Sequence, residues 1–99
     1  MRVGYFQFAP AFGEVARNLE LVTTRLAMAQ CDLMVLPELF ASGYQFVSKE
    51  EVESLAEPVP DGPTTKRLIE LARDRHMHVV AGLPERQGKV CYNSAVLVG

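Results

Sequence analysis

Apolar residues change their spacing several times along the chain, and each change marks an element. Residues 2–8, Arg-Val-Gly-Tyr-Phe-Gln-Phe, make a short β-rich run that Ala9-Pro10-Ala11-Phe12-Gly13 closes as a turn. Val15, Leu19, Val22, Leu26 and Ala29 then recur at intervals of three and four, with Arg17, Glu20, Thr24 and Arg25 mainly between them. That period predicts a helix with one apolar stripe, which must face a sheet. Asp32-Leu33-Met34-Val35-Leu36 carries a continuous apolar run ended by Pro37, since proline cannot donate to a central ladder. Residue 38 therefore falls at the C-terminal tip of a second strand.

Glycine and aromatic residues from Leu39 to Val47 suggest an ordered loop. Ser48-Lys49-Glu50-Glu51 is a capping box that opens a short helix through about Ala56, and Pro58, Pro60, Gly62 and Pro63 end it. Thr64 or Thr65 is expected to cap a further helix, with Leu68, Ile69, Leu71 and Ala72 on its buried side and a stop near His76. His78 to Leu83 is strand-like, Arg86-Gln87-Gly88-Lys89 reads as a compact turn, and Val90 to Val98 as a last strand that completes a hairpin.

The order is an α/β alternation forming a mixed sheet, parallel at first and antiparallel at its end. Both main helices are expected on one face of that sheet. Leu33 to Leu36 and Val79 to Ala81 are apolar on both sides, however, and strands of that kind want cover on two faces. The sequence thus predicts an exposed apolar patch beyond roughly a few hundred Å², and something else to pack on it.

Ninety-nine residues allow one domain. With 48% hydrophobic residues and a net charge of −2, the chain is too apolar for a disordered segment. Ten basic and twelve acidic residues are spread without long runs, so neither nucleic acid nor an anionic membrane is expected as a partner. No signal-like apolar segment or bilayer-length run is present, which makes a cytoplasmic location the expectation. Cys31 and Cys91 lack both the density of a disulfide scaffold and the paired spacing of a zinc site, and are read as reduced, mostly buried thiols. His76 and His78 have no evident third ligand, so neither a metal nor a cofactor is expected.

The stretch richest in chemistry is Leu36-Pro37-Glu38-Leu39-Phe40-Ala41-Ser42-Gly43-Tyr44. It sets a carboxylate directly after a buried strand, inside an aromatic loop, where desolvation would make it a usable base. Ligands of open α/β sheets gather at such strand ends. A lone glutamate there is more often a solvated or hydrogen-bonded structural acid.

Taken with Gln7, Pro10, Gly13 and Asn18, this stretch resembles the glutamate motif of the nitrilase superfamily of carbon–nitrogen hydrolases. The likeness continues through Gly62-Pro63, Leu71-Ala72, Val79-Val80-Ala81-Gly82 with Glu85, and Tyr92-Asn93-Ser94-Ala95. The resemblance implies that residues 1–99 are the N-terminal portion of an α-β-β-α sandwich. It further implies a Glu-Lys-Cys triad acting on amides or nitriles in a homo-oligomeric enzyme, with Glu38 as the base that takes the thiol proton.

In the family the lysine and cysteine follow the last strand found here, so the chain is expected to need more polypeptide, or a partner chain, and to be inactive alone. Cys91 is followed by a strand rather than a sharp turn into a helix, and Cys31 lies where a thiol packs as a small hydrophobe; neither is taken as the nucleophile. Lys49, Lys66 and Lys89 fall at helix starts or turns and read as surface charges. Tyr44 is a candidate to line the substrate pocket, or to pack over the strand ends. Glu85 is a candidate to orient the lysine beside the substrate, or a turn-flanking surface acid. Asn93, unusual in a strand, is expected to make a structural hydrogen bond.

Three functional classes compete for such a chain: part of a hydrolase, a non-catalytic remnant that binds a protein through its apolar face, and a nucleotide-binding domain. The last fails because the Ala9–Asn18 segment has one glycine and no phosphate-cradling pattern.

Overall fold

The computed structural model describes residues 1–99 as β1 (Val3–Tyr5), α1 (Val15–Arg25), β2 (Leu33–Val35), α2 (Lys49–Leu55), α3 (Pro63–Arg75), β3 (His78–Gln87) and β4 (Val90–Val98). One four-stranded sheet has the order β1-β2-β3-β4. The β1–β2 and β2–β3 pairs are parallel, and β3–β4 is an antiparallel hairpin, as the alternation predicted.

Register explains where the core forms. Gly4, Met34, Val79 and Val98 share a row, and the next row holds Tyr5, Val35, Val80 and Leu97. Side chains alternate across a strand, so Met34, Leu36, Val79 and Ala81 fall on one face. There they meet Leu19 and Val22 of α1 and Leu26 at its C-cap, Leu68, Leu71 and Ala72 of α3, and Phe40 in one buried cluster. Each fully buried large side chain contributes about 1.5–3 kcal/mol, so stabilisation is concentrated on the helix side of the sheet. The opposite face stays open: Val3 is 58%, Tyr5 79% and Leu97 66% exposed.

Several boundaries differ from expectation for identifiable reasons. The first strand, expected over residues 2–8, is only Val3–Tyr5, matching the three residues that β2 offers for pairing. The helix α1 stops at Arg25 and continues as turns, so Ala29 packs on the core from outside it. Of the expected capping box at α2, one half forms: Ser48 Oγ accepts from the Glu51 backbone N–H at 3.2 Å, while the Glu51 carboxylate reaches back to Val47 N–H, also at 3.2 Å, rather than to that of Ser48. The cap of α3 is neither threonine. Gly62 is its N-cap and Pro63 its first residue, and the Glu57 carboxylate accepts from both the backbone N–H (2.8 Å) and the hydroxyl of Thr64. Proline pre-sets the dihedral of a first helical residue, which moves the start upstream of the threonines. His76 ends α3 in the left-handed conformation. Strand β3 runs past the expected turn to Gln87, leaving Gly88 and Lys89 between the strands, with Gly88 at φ +62°.

Candidate active site

Glu38 owes its position to β3. Leu36 N–H still donates to Val80 O at 2.8 Å, so pairing between β2 and β3 persists one residue beyond the strand. Pro37 interrupts it. From there Gly82 N–H donates to Pro37 O (3.3 Å) and Phe40 N–H donates to Gly82 O (3.1 Å), so a single glycine holds the backbone on both sides of Glu38. A Cβ at position 82 would stand 2.7 Å from Glu38 Cα and 3.0 Å from Leu39 N. Only a residue without one permits so close an approach.

The loop that follows is anchored twice more. Leu39 takes φ 49°, a left-handed conformation that costs about 1–2 kcal/mol for a residue with a side chain. Phe40, fully buried in the core, offsets that cost. Asn18, 2% exposed on α1, accepts from Ala11 N–H (2.9 Å) and donates to Ala11 O (2.8 Å) and Ala41 O (2.6 Å). Gly13 N–H adds a bond to Ser42 O at 2.8 Å. The turn after β1, the first coil of α1 and the glutamate loop are thereby one hydrogen-bonded unit.

The side chain of Glu38 emerges on the open face. Its Oε2 accepts from Asn93 Nδ2 of β4 at 2.9 Å, and the two flank a shallow depression of about 270 Å³ floored by Val80, Gly82 and Ala95. Glu38 is exposed there, so the burial expected around it is not provided by these residues. The open face has no covering layer to desolvate it.

The other predicted site residues lie apart. Tyr44, 63% exposed beyond the buried Gly43, does not line the depression. Glu85 does not reach Glu38 either. Strand alternation from Gly82 turns it to the opposite face, where Ser94 Oγ donates to its Oε1 at 2.7 Å. Asn93 does make the hydrogen bond expected of it, but the partner is the candidate base. Cys91 is half-buried within regular β4, and the half-buried Cys31 has its Sγ 3.8 Å from Met77 Sδ. Lys49 is a surface charge, as are Lys66 and Lys89. Gly82 was missed as a site-building residue, although a glycine inside a strand pattern signals close backbone approach.

The family model described as carbon–nitrogen hydrolase matches residues 2–99. The chain belongs to the carbon–nitrogen hydrolase family. Among its relatives, a nitrilase of Pyrococcus abyssi is 41% identical over 102 residues, an alignment covering 100% of this chain and 39% of that protein. The protein N-terminal amidase of Schizosaccharomyces pombe is 28% identical over 109 residues, covering 99% of this chain and 38% of its own. This carbon–nitrogen hydrolase chain thus spans 39% and 38% of the length of these two relatives.

Two solved structures agree with the fold. An N-terminal amidase with a Gln-Gly peptide superposes with a TM-score of 0.91 at 21% identity, over 99% of this chain and 25% of that one. A carbon–nitrogen hydrolase superfamily protein from Xanthomonas campestris gives a TM-score of 0.85 at 25% identity, over 98% and 36% respectively. No helix of the chain is long and apolar enough to cross a membrane.

Proposed function

We propose that this chain is the base-carrying portion of an enzyme that hydrolyses amide or nitrile carbon–nitrogen bonds, with Glu38 as general base in a Glu-Lys-Cys mechanism. The observation that carries the reading is the seating of Glu38 on Gly82, which fixes its backbone from both sides and directs its carboxylate over the open apolar face. Nitrilases and amidases both stand among the relatives, which supports the bond type but not a choice between the two substrates.

In this scheme Glu38 takes the proton of a cysteine thiol, and the thiolate attacks the carbonyl or nitrile carbon. A lysine ammonium stabilises the negative charge that develops on the former carbonyl oxygen or nitrile nitrogen. Glu38 then returns the thiol proton to the departing nitrogen, which leaves an amide as ammonia or an amine, and leaves a nitrile as ammonia once a first water has added to the thioimidate carbon; the carboxylate so restored takes a proton from the water that attacks the acyl-enzyme. The lysine and cysteine come from polypeptide outside these 99 residues or from a partner chain. The same polypeptide packs a second sheet on the open face, completing an α-β-β-α sandwich and desolvating Glu38. Tyr44 lies outside the depression and has no step in this scheme. Glu85, on the helix side, is left with a structural role.

Ammonia release from a panel of short amides and nitriles tests the proposal. The chain assembled with the lysine- and cysteine-bearing polypeptide should turn over, and Glu38→Gln should reduce that rate about 10²–10⁴-fold. The 99 residues alone should release none, since a base without its nucleophile has no acyl-enzyme route. Turnover by the pure chain that survives alkylation of Cys31 and Cys91 would overturn the scheme.

The exposed Val3, Tyr5 and Leu97 also favour a second reading, a non-catalytic module that binds a protein through this face. That reading requires partner binding indifferent to Glu38→Gln and no ammonia release in any assembly.

A further inference from the structure

Asn93 takes no part in the scheme above, yet its amide is the group that the fold sets against the Glu38 carboxylate. We infer that Asn93 is a positioning residue for the general base, and this rests on Glu38 being that base. Asn93 Nδ2 donates to Glu38 Oε2 at 2.9 Å, across 55 positions of sequence.

Three observations make the bond more than an incidental surface contact. Asparagine is disfavoured in strand interiors, so the sheet gains nothing from it at a position opposite Pro84. The depression beside Glu38 is otherwise lined by Leu36, Val80, Ala81, Gly82, Ser94 and Ala95, none of them titratable. The one side-chain hydroxyl there, on Ser94, donates to Glu85. Asn93 is thus the side-chain donor available to Glu38, and no charged group in the depression competes for the carboxylate.

The two restraints on Glu38 are complementary. Gly82 fixes the main chain on either side, and the Asn93 amide selects among the side-chain rotamers that remain. Holding Oε2 leaves Oε1 as the oxygen that receives the thiol proton. A neutral amide orients the carboxylate without forming an ion pair that would quench its basicity, and the bond strengthens once a covering layer excludes water.

The test uses the assembled enzyme with Asn93→Ala, Asn93→Asp and Glu38→Gln, reading kcat, KM, melting temperature and the pH dependence of kcat/KM. Asn93→Ala is expected to lower kcat at least about tenfold with KM nearly unchanged, as misoriented groups do. It should also move the acidic limb of the rate profile to higher pH. The sign follows because a donor to a carboxylate favours the charged, proton-accepting form, and its loss favours the protonated one. Asn93→Asp sets a second carboxylate against the first and should move the limb further in the same direction. The inference is overturned if Glu38→Gln abolishes turnover while Asn93→Ala keeps both rate and acidic limb. It is equally overturned if Asn93→Ala loses rate only in step with a lower melting temperature and an unmoved limb. Retention of turnover by Glu38→Gln would instead remove the base assignment itself, a result distinguishable from the other two.

Discussion

Replacing Gly82 with alanine should damage stability and catalysis together, because the added methyl meets main chain rather than a flexible side chain. Its carbon would stand 2.7 Å from Glu38 Cα, about 0.8 Å short of a relaxed carbon–carbon contact of about 3.5 Å. The glutamate loop must retreat by much of that distance. Overpacking of this kind costs about 1–3 kcal/mol. Stretching the 3.3 Å and 3.1 Å bonds that Gly82 makes to Pro37 O and Phe40 N adds up to about 1 kcal/mol each. A total near 2–4 kcal/mol lowers the melting temperature of a chain this size by roughly 10–25 °C. Thermal and urea unfolding followed by circular dichroism measure it. In the assembled enzyme a shift approaching 1 Å at the base should cost about 10²-fold in rate. Gly88→Ala is the control: φ +62° strains an alanine by about 1–2 kcal/mol, but nothing lies within 4 Å of the new methyl and the turn is remote from Glu38. If Gly82→Ala melts within about 2 °C of the parent and keeps its rate, the claim that Gly82 seats the base is wrong.

Asn18→Ala removes the partner of Ala11 N–H, Ala11 O and Ala41 O, and should cost about 3 kcal/mol in urea unfolding, with new proteolytic sensitivity in the turn after β1 and in the glutamate loop. Glu57→Ala strips the cap from Thr64 and should lower stability by about 1–2 kcal/mol in the same assay. Val35→Lys combined with Leu97→Lys changes only the open face, and should reduce self-association and binding of a hydrophobic dye while altering stability by about 0.5 kcal/mol or less. A large loss of stability in that double variant would mean that the face is part of the core.

Period alone located the stripe of α1, the strand before Pro37 and the two-sided apolar character that the open face displays. What it could not show depended on contacts distant in sequence. Capping is local as a rule, which points to a threonine at the start of α3, whereas Glu57 reaches Thr64 from the far side of a proline-rich turn. Glu38 was recognisable from its place at a strand tip and from its flanking motif. Its seat was not, because a glycine in a strand announces a close approach without naming what approaches. Asn93 announced a hydrogen bond in the same way, and its partner lies 55 residues upstream. The expected burial of Glu38 is not met for a different reason: the aromatic residues of its loop turn into the helix-side core, as Phe40 does, or out to solvent, as Tyr44 does, and leave the carboxylate uncovered.

The Asn18 hydrogen bonds have a dynamic consequence. Because one amide side chain serves both the turn at Ala11 and the loop at Ala41, neither segment can open while the other remains closed without leaving a buried polar group unpaired. Amide protons tied to that unit, such as those of Ala11, Gly13 and Gly43, should therefore exchange with solvent at a common opening free energy, as one cooperative unit. The segment carrying Glu38 then behaves as part of the sheet's rigid rim, with a lifetime set by the fold rather than by the loop.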